Sequence, residues 1–246
     1  NQGLTSEKLR GNYSKQVAIF SHFEGCVRDA GKLAGDTLLF YRERHHWAWF
    51  IPIDDEVTSV GIVTPSDYFK SQNKSKKEFL LDEMTLLNPE LTWRMENVRM
   101  IEEARACSNY SYHIKNFTGK NYLCVGDSHR FIDPIFSLGL HFSMAEGRKA
   151  AMAIRSAYNG EFPVGSSENQ PFRNYELECD KGQDIIQEML DAFWDYPLAF
   201  SLYIKDKRYR PNFIDMFAGR VYTTEAGPGL QAFRKLNREG EYAAVS

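Results

Sequence analysis

A single acidic residue and the start of a helix fall close together in the middle of this chain. Asp127 ends a short apolar run, Tyr122-Leu-Cys-Val-Gly126, which predicts a β-strand. A loop containing Pro134 and Gly139 follows, and the small residues of 140–158 predict a helix. A carboxylate accepts hydrogen bonds from polyol hydroxyls, and the N–H groups of a helix start favour the negative end of an adjoining ring. A flavin combines both parts.

The composition is that of an ordinary globular protein. The 246 residues are 43% hydrophobic and 26% charged, enough for one large domain or two small ones. The net charge of −3 gives no reason to expect a nucleic acid partner. No apolar run is as long as the about 18 residues that a membrane-spanning helix needs. The first residues do not resemble a secretory signal peptide. We therefore expect a cytoplasmic protein. The four cysteines have no metal-ligand spacing, so no metal site is predicted.

Alternating runs and turn residues predict an antiparallel meander followed by helices. The strand-like runs, rich in β-branched and aromatic residues, are residues 17–23, 37–41, 47–51, 58–63 and about 98–109. The segments with helical spacing are residues 75–87, 140–158, 175–193 and 209–219. The strand at Tyr122 needs parallel partners that the chain does not offer. We therefore expect that the chain begins mid-protein.

Two motifs together resemble those of the flavin-dependent halogenases, which belong to the FAD-dependent monooxygenase superfamily. Trp47-Ala-Trp49-Phe-Ile51-Pro52 matches the pattern W-x-W-x-I-P. Phe131-Ile-Asp-Pro134-Ile-Phe-Ser137-Leu-Gly139 matches F-x-x-P-x-x-S-x-G, with the Gly-Asp pair just ahead of it. The Gly-Asp strand alone would indicate only the superfamily, and the two motifs narrow it to the halogenases.

The resemblance implies an α/β (α+β) fold. Its parts would be a partial FAD-binding, glutathione-reductase-like Rossmann fold, an antiparallel β-sheet substrate domain and C-terminal helices. We expect residues 1–120 to form the substrate domain, residues 121–165 the returning strand and helix of the FAD-binding domain, and residues 166–246 a helical C-terminal region. The family's N-terminal third, with its G-x-G-x-x-G fingerprint and essential lysine, has no counterpart here.

The same resemblance implies roles for individual residues. Those expected to bind FAD are Gly126, Asp127, Pro134, Leu138 and Gly139. Those expected to form the halide site are Ser137, Leu138 and Gly139. A halide needs N–H donors in a dry, positive pocket, which the amides of a helix start provide. Ser137 also suits the N-cap of the helix, and His141 either lies near the flavin or simply packs.

The implied reaction is halogenation through FAD, O₂ and a chloride or bromide ion. In the family, reduced FAD, supplied by a separate flavin reductase, forms a hydroperoxide with O₂, and halide attack gives hypohalous acid that halogenates an electron-rich ring. Trp47 and Trp49 are assigned the obstruction of the direct monooxygenase reaction. They also share one face of a strand, so a plain core role stays open.

The predicted substrate is a small aromatic other than free tryptophan. Halogenases of free tryptophan carry a glutamate just before the motif serine, where this chain has Phe136. That favours a phenol, a pyrrole or an acyl group tethered to an acyl or peptidyl carrier protein. Two alternatives stay open: an FAD-dependent hydroxylase or reductase of the same superfamily, and a truncated, non-catalytic paralogue that binds a ligand or a carrier protein.

Three histidines could invite a metal or a catalytic base. His45, His46 and His129 have no carboxylate or second histidine at ligand spacing, apart from their own adjacency. We therefore expect all three to be surface or loop residues.

Overall fold

Eleven strands and eight α-helices make up the regular structure of the described residues, which are 5, 7–108, 110–222 and 227–245 of a computed structural model. The strands are β1 (Lys8–Arg10), β2 (Gln16–Glu24), β3 (Leu38–Glu43), β4 (His46–Pro52), β5 (Val57–Pro65), β6 (Arg99–Met100), β7 (Arg105–Ser108), β8 (Tyr112–Ile114), β9 (Thr118–Gly119), β10 (Tyr122–Leu123) and β11 (Arg130–Phe131). The α-helices are α1 (Ser66–Ser71), α2 (Lys76–Leu86), α3 (Pro89–Arg94), α4 (Gly139–Tyr158), α5 (Arg173–Asp195), α6 (Pro197–Lys205), α7 (Arg210–Phe217) and α8 (Pro228–Val245).

The chain divides into two units, Tyr13–Tyr110 and Asn1–Asn12 with Ser111–Ser246. The predicted division into residues 1–120, 121–165 and 166–246 stays a prediction. The mixed fold of helices and antiparallel sheet agrees with the expected class. In the described part of the chain, no helix is long and apolar enough to cross a membrane.

The unit Tyr13–Tyr110 is built on an antiparallel sheet in the order β3-β4-β5-β2-β6, with β7 also paired to β2. Because strand side chains alternate, Ala48 and Phe50 enter the core beside residues of α2 and α3, whereas Trp47 and Trp49 point to the other face. A capping box between Ser75 and Glu78 begins α2. The predicted meander is confirmed for β3, β4 and β5, which pair in chain order, whereas β2 pairs with β5 rather than with β3.

The single strand predicted at residues 98–109 is wrong. The structure has two short strands there, β6 and β7, and both lie along the same edge of β2. Between them the chain leaves the regular ladder, where Ser21 Oγ donates to the Glu102 carbonyl at 2.7 Å and the Ile101 N–H donates to the His22 carbonyl at 3.0 Å. Asn109 lies outside the described residues.

The other unit combines small antiparallel pairings with the long helices α4 and α5. Its sheets are β1-β8-β11 and the hairpin β9-β10. Its core contains the buried residues Phe117 and Cys179 together with Ala150 of α4. The helices α4, α5 and α7 match the predicted segments within a few residues. The prediction missed α6 and α8. The short apolar α6 is separated from α5 by a single residue, Tyr196, so no loop signal in the sequence marks its start.

The predicted strand before Asp127 is much shorter than expected. Only Tyr122–Leu123 is a strand, and it pairs antiparallel with β9. The Val125 N–H is taken by Ser128 Oγ at 2.8 Å rather than by a neighbouring strand. Gly126 then turns the chain with a φ of 56°, a conformation that favours glycine. The apolar run is therefore mostly turn.

Candidate functional site

The Gly126–Asp127 turn lies against the first turn of α4. A Cβ added at Gly126 would sit 2.2 Å from Ser143 Oγ, so this close approach to α4 requires glycine. A Cβ added at Gly139 would lie 3.7 Å from Asp127 Oδ1. The carboxylate of Asp127 is thus next to the first residue of the helix. Partial burial and the nearby charge of Glu146 raise the pKa of Asp127.

The loop that leads into α4 leaves the helix start uncapped. Asp133 Oδ1 accepts the Ile135 N–H at 2.9 Å and begins a 3-10 turn over Pro134–Phe136. Ser137 ends that turn in the left-handed conformation, with a φ of 53°. Leu138 is the N-cap, and no side chain caps the helix. The N-cap role considered for Ser137 is therefore wrong, and the opening N–H groups of α4 have no intrahelical acceptor.

A small cavity of about 30 Å³ lies beside this loop. It is lined by Asp127 and Arg130, by the loop residues Pro134, Leu138 and Gly139, and by neighbouring apolar side chains. The volume suits one water-sized group. Asp133 also lines it, and burial raises the pKa of Asp133 to about 7. Arg130 forms an ion pair with Asp184 at 2.6 Å.

A buried polar network holds the Gly126–Asp127 turn in place, and the sequence did not predict it. Glu146 of α4, fully buried, accepts the Gly126 N–H at 2.7 Å and Gln183 Nε2 at 2.7 Å. His129 is also fully buried, with Nδ1 3.3 Å from Glu146 Oε1 and Nε2 3.1 Å from Asp180 Oδ1. Burial lowers the pKa of His129, but the two carboxylates outweigh it, so the net shift is upward. His129 was expected to be a surface or loop residue, and it does lie in a turn, but it is buried rather than at the surface.

Helical spacing could have revealed Glu146. It lies four residues after Phe142 and four before Ala150, and all three are buried on one face of α4. A glutamate in such a stripe indicates a buried partner, because an unpaired charge is costly there.

Phe136 packs into an aromatic cluster formed with the C-terminal helices. Its ring centroid lies 5.2 Å from that of Phe193, 6.2 Å from that of Phe200 and 4.9 Å from that of Phe217. The position before Ser137 therefore belongs to an apolar wall. His141 stacks with Tyr222, with 6.5 Å between centroids, and packs over Gly219.

The two tryptophans of the first motif lie in the unit Tyr13–Tyr110, on the sheet face opposite the helix-covered core. Trp47 is buried, and its ring centroid lies 6.1 Å from that of Trp49. Trp49 Nε1 donates to Ser59 Oγ at 3.1 Å. The ring of Trp49 covers Gly61, where a Cβ would sit 2.2 Å from Trp49 Cζ2.

The neighbouring histidines differ from each other. His46 is buried, and its Nε2 lies 2.9 Å from Glu83 Oε2, so its expected surface position is wrong. His45 is half-buried in the tight turn before β4, with a φ of 60°. Its Nδ1 lies 3.1 Å from Gln16 Nε2.

Comparisons with known proteins all point to one family. The tryptophan halogenase family model matches residues 42–210. A brominase of 1H-pyrrole-2-carbonyl-peptidyl-carrier protein from Pseudoalteromonas luteoviolacea is 32% identical over 97% of this chain and 57% of its own length. The corresponding chlorinase from Pseudomonas fluorescens is 26% identical over 90% of this chain and 49% of its own length.

A solved structure points to the same family. The structure of the flavin-dependent brominase Bmp2 superposes with a TM-score of 0.88 at 31% identity, and it covers 99% of this chain and 60% of that one. The chain therefore spans about half to three-fifths of the length of these relatives.

Proposed function

We propose that the complete protein is an FAD-dependent halogenase of an electron-rich aromatic group, since the chain belongs to the tryptophan halogenase family, a family of enzymes. One observation on the chain itself carries the proposal. The carboxylate of Asp127 and the uncapped start of α4 lie together beside a small cavity. A polyol and an electron-accepting ring need that pair of groups.

The residues present fit FAD. Gly126 lets the turn pack closely against α4, and the exposed carboxylate of Asp127 can accept a hydrogen bond from a hydroxyl of the ribityl chain. With FAD bound, the amides of Leu138 and Gly139 would favour the electron-rich part of its ring, and Pro134 would be among the residues that hold it. When bound and reduced, FAD supplies the electrons that activate O₂.

A halide ion would use the cavity at the loop. Leu138 and Gly139 line it and offer backbone N–H groups, and its volume matches a single small ion. Ser137 precedes them in the chain, with its own N–H donated to the Pro134 carbonyl at 2.9 Å. Two carboxylates line the cavity or its edge and would repel an anion. With a pKa near 7, Asp133 holds a proton for part of the time at neutral pH, which weakens that repulsion. Arg130 also lines the cavity, where its positive charge is shared with its ion-pair partner Asp184.

The substrate we propose is a pyrrole-type acyl group tethered to a peptidyl carrier protein. Two relatives carry names with that substrate, one a brominase and one a chlorinase. The aromatic cluster around Phe136 supports an apolar substrate wall without the glutamate of the tryptophan-specific enzymes. Trp47 and Trp49 keep their predicted role of obstructing direct oxygen transfer. A separate flavin reductase is the predicted source of reduced FAD.

A substrate panel assayed on the complete protein tests the proposal. The reaction contains FAD, a flavin reductase, O₂ and either bromide or chloride. The substrates are pyrrole-2-carbonyl carrier protein, free pyrrole-2-carboxylate and free tryptophan. We expect mass spectrometry to find halogen on the tethered pyrrole and on neither free compound. A product that gains oxygen without halogen would make the protein a hydroxylase, and no turnover with no flavin binding would support the non-catalytic alternative.

A further inference from the structure

Two histidines and an aspartate converge in the unit that contains α4 and α5. His113 lies on β8, His129 ends the turn after Asp127, and Asp180 lies on α5. Asp180 Oδ1 is 3.1 Å from His129 Nε2 and 3.3 Å from His113 Nε2. All three atoms lie within 4.8 Å of one another. We propose that these three side chains form a binding site for a divalent transition metal of the zinc class.

The ligand set and its spacing suit such an ion. Two imidazole nitrogens and one carboxylate oxygen are a common protein ligand set for Zn²⁺ and for Fe²⁺ or Co²⁺. In a tetrahedral site with bonds of about 2.1 Å, neighbouring ligand atoms are about 3.4 Å apart. The two distances from Asp180 Oδ1 are close to that value.

The surroundings orient the ligands. Glu146 Oε1 faces Nδ1 of His129, so Nε2 of the same ring is the nitrogen turned toward Asp180. Metal-binding histidines are usually fixed in this way by a carboxylate on the second nitrogen. Glu146 is itself held by Gln183 at 2.7 Å. The ring of Phe117 stacks on His129 with 3.6 Å between centroids and limits its rotation.

One ligand atom lacks a satisfactory partner. His113 Nε2 is buried and forms no hydrogen bond with proper geometry, although Asp180 Oδ1 is only 3.3 Å away. An ion between the two atoms would satisfy both. The side chains of His113 and Asp180 are 30% and 35% exposed, and Asp180 lines an open surface cavity, so an ion can enter and a water can complete its coordination.

The alternative to a metal site is an ion-pair network in which both histidines share Asp180. That network would need no metal. It would also leave the cobalt spectrum of the protein independent of these residues.

The test is metal binding by the complete, untagged protein after chelator treatment. We expect it to take up one equivalent of Co²⁺ with the strong visible absorption of a four-coordinate ion, and Zn²⁺ to displace the Co²⁺ and raise the melting temperature. His113→Ala and Asp180→Asn should each lower the affinity at least about tenfold. Asp184→Asn, one turn along α5, and His22→Ala, in the other unit, serve as matched controls and should leave both signals unchanged.

Circular dichroism checks the fold of each variant, and either ligand variant suffices if the other fails to fold. A Co²⁺ spectrum that is absent from the wild type, or unchanged in both ligand variants, would overturn the metal site. The readout does not involve flavin or halide, so its result is independent of the proposed halogenation.

Discussion

Glu146 accepts a hydrogen bond from the backbone N–H of Gly126 at 2.7 Å. Its other oxygen accepts one from Gln183 Nε2, also at 2.7 Å, and no part of its side chain is exposed. A buried carboxylate on α4 therefore holds the turn that presents Asp127. The conformation of the candidate site depends on a residue that is itself hidden from any ligand.

Glu146→Gln should destabilise the protein by about 1–3 kcal/mol. The carboxylate accepts from two donors at once, whereas an amide offers one oxygen and turns its NH₂ toward the other donor. The measurement is the free energy of unfolding from urea denaturation of the complete protein. Glu161→Gln, at an exposed position after α4, is the control and should have no effect. Equal stability of the two variants would contradict the role of Glu146.

Asp127→Ala should weaken FAD binding by about 1.5–3 kcal/mol, the contribution of a lost charge-assisted hydrogen bond. That corresponds to about 10-fold or more in the dissociation constant. Flavin fluorescence titration of the complete protein measures it. Asp55→Ala removes an exposed carboxylate in the other unit and should leave the constant unchanged. If the two variants retain flavin equally well, Asp127 does not contact the cofactor.

Local patterns in the sequence were enough to predict the sheet and the helix after Gly139. The alternation of side chains along β4 places Phe50 and Trp49 on opposite faces of the sheet, and the prediction of this strand used only that two-residue period. The strand before Asp127 was overestimated because an apolar run does not reveal that Ser128 takes the amide of Val125.

The buried histidines could not be predicted from spacing. His129 meets Asp180, 51 positions further along the chain, and His46 meets Glu83, 37 positions further along. Ligand-spacing rules test only neighbours in sequence, so both residues were expected to be surface or loop residues. Folding brings the carboxylates to them from helices.

Gly61→Ala should disturb the tryptophan motif without touching either tryptophan. The added methyl would overlap the ring of Trp49, since the Cβ position is 2.2 Å from Cζ2. We expect a loss of about 1–3 kcal/mol in the free energy of unfolding and a shift in tryptophan fluorescence as the bond to Ser59 breaks. Gly35→Ala, where a Cβ would meet open space, is the control. Unchanged fluorescence would show that the sheet accommodates the methyl group.

Asp133→Asn should change how stability depends on pH. Burial raises the pKa of Asp133 to about 7 in the folded protein, against about 3.9 in an unfolded chain. Between about pH 4 and pH 7 the unfolded chain releases the proton that the folded protein keeps. The stability contributed by this group is therefore full below about pH 4 and is lost as the pH rises to about 7.

The asparagine does not titrate, and its oxygen can still accept the Ile135 N–H that Asp133 Oδ1 accepts at 2.9 Å. From pH 5 to pH 8 the wild type should therefore lose about 3 kcal/mol of stability relative to Asp133→Asn. Urea denaturation at both pH values measures the difference. Asp36→Asn, at an exposed carboxylate, should follow the wild type at both. A constant gap between the wild type and Asp133→Asn would mean that Asp133 is ionised throughout, and the cavity that it lines would then carry a full negative charge from this residue at neutral pH.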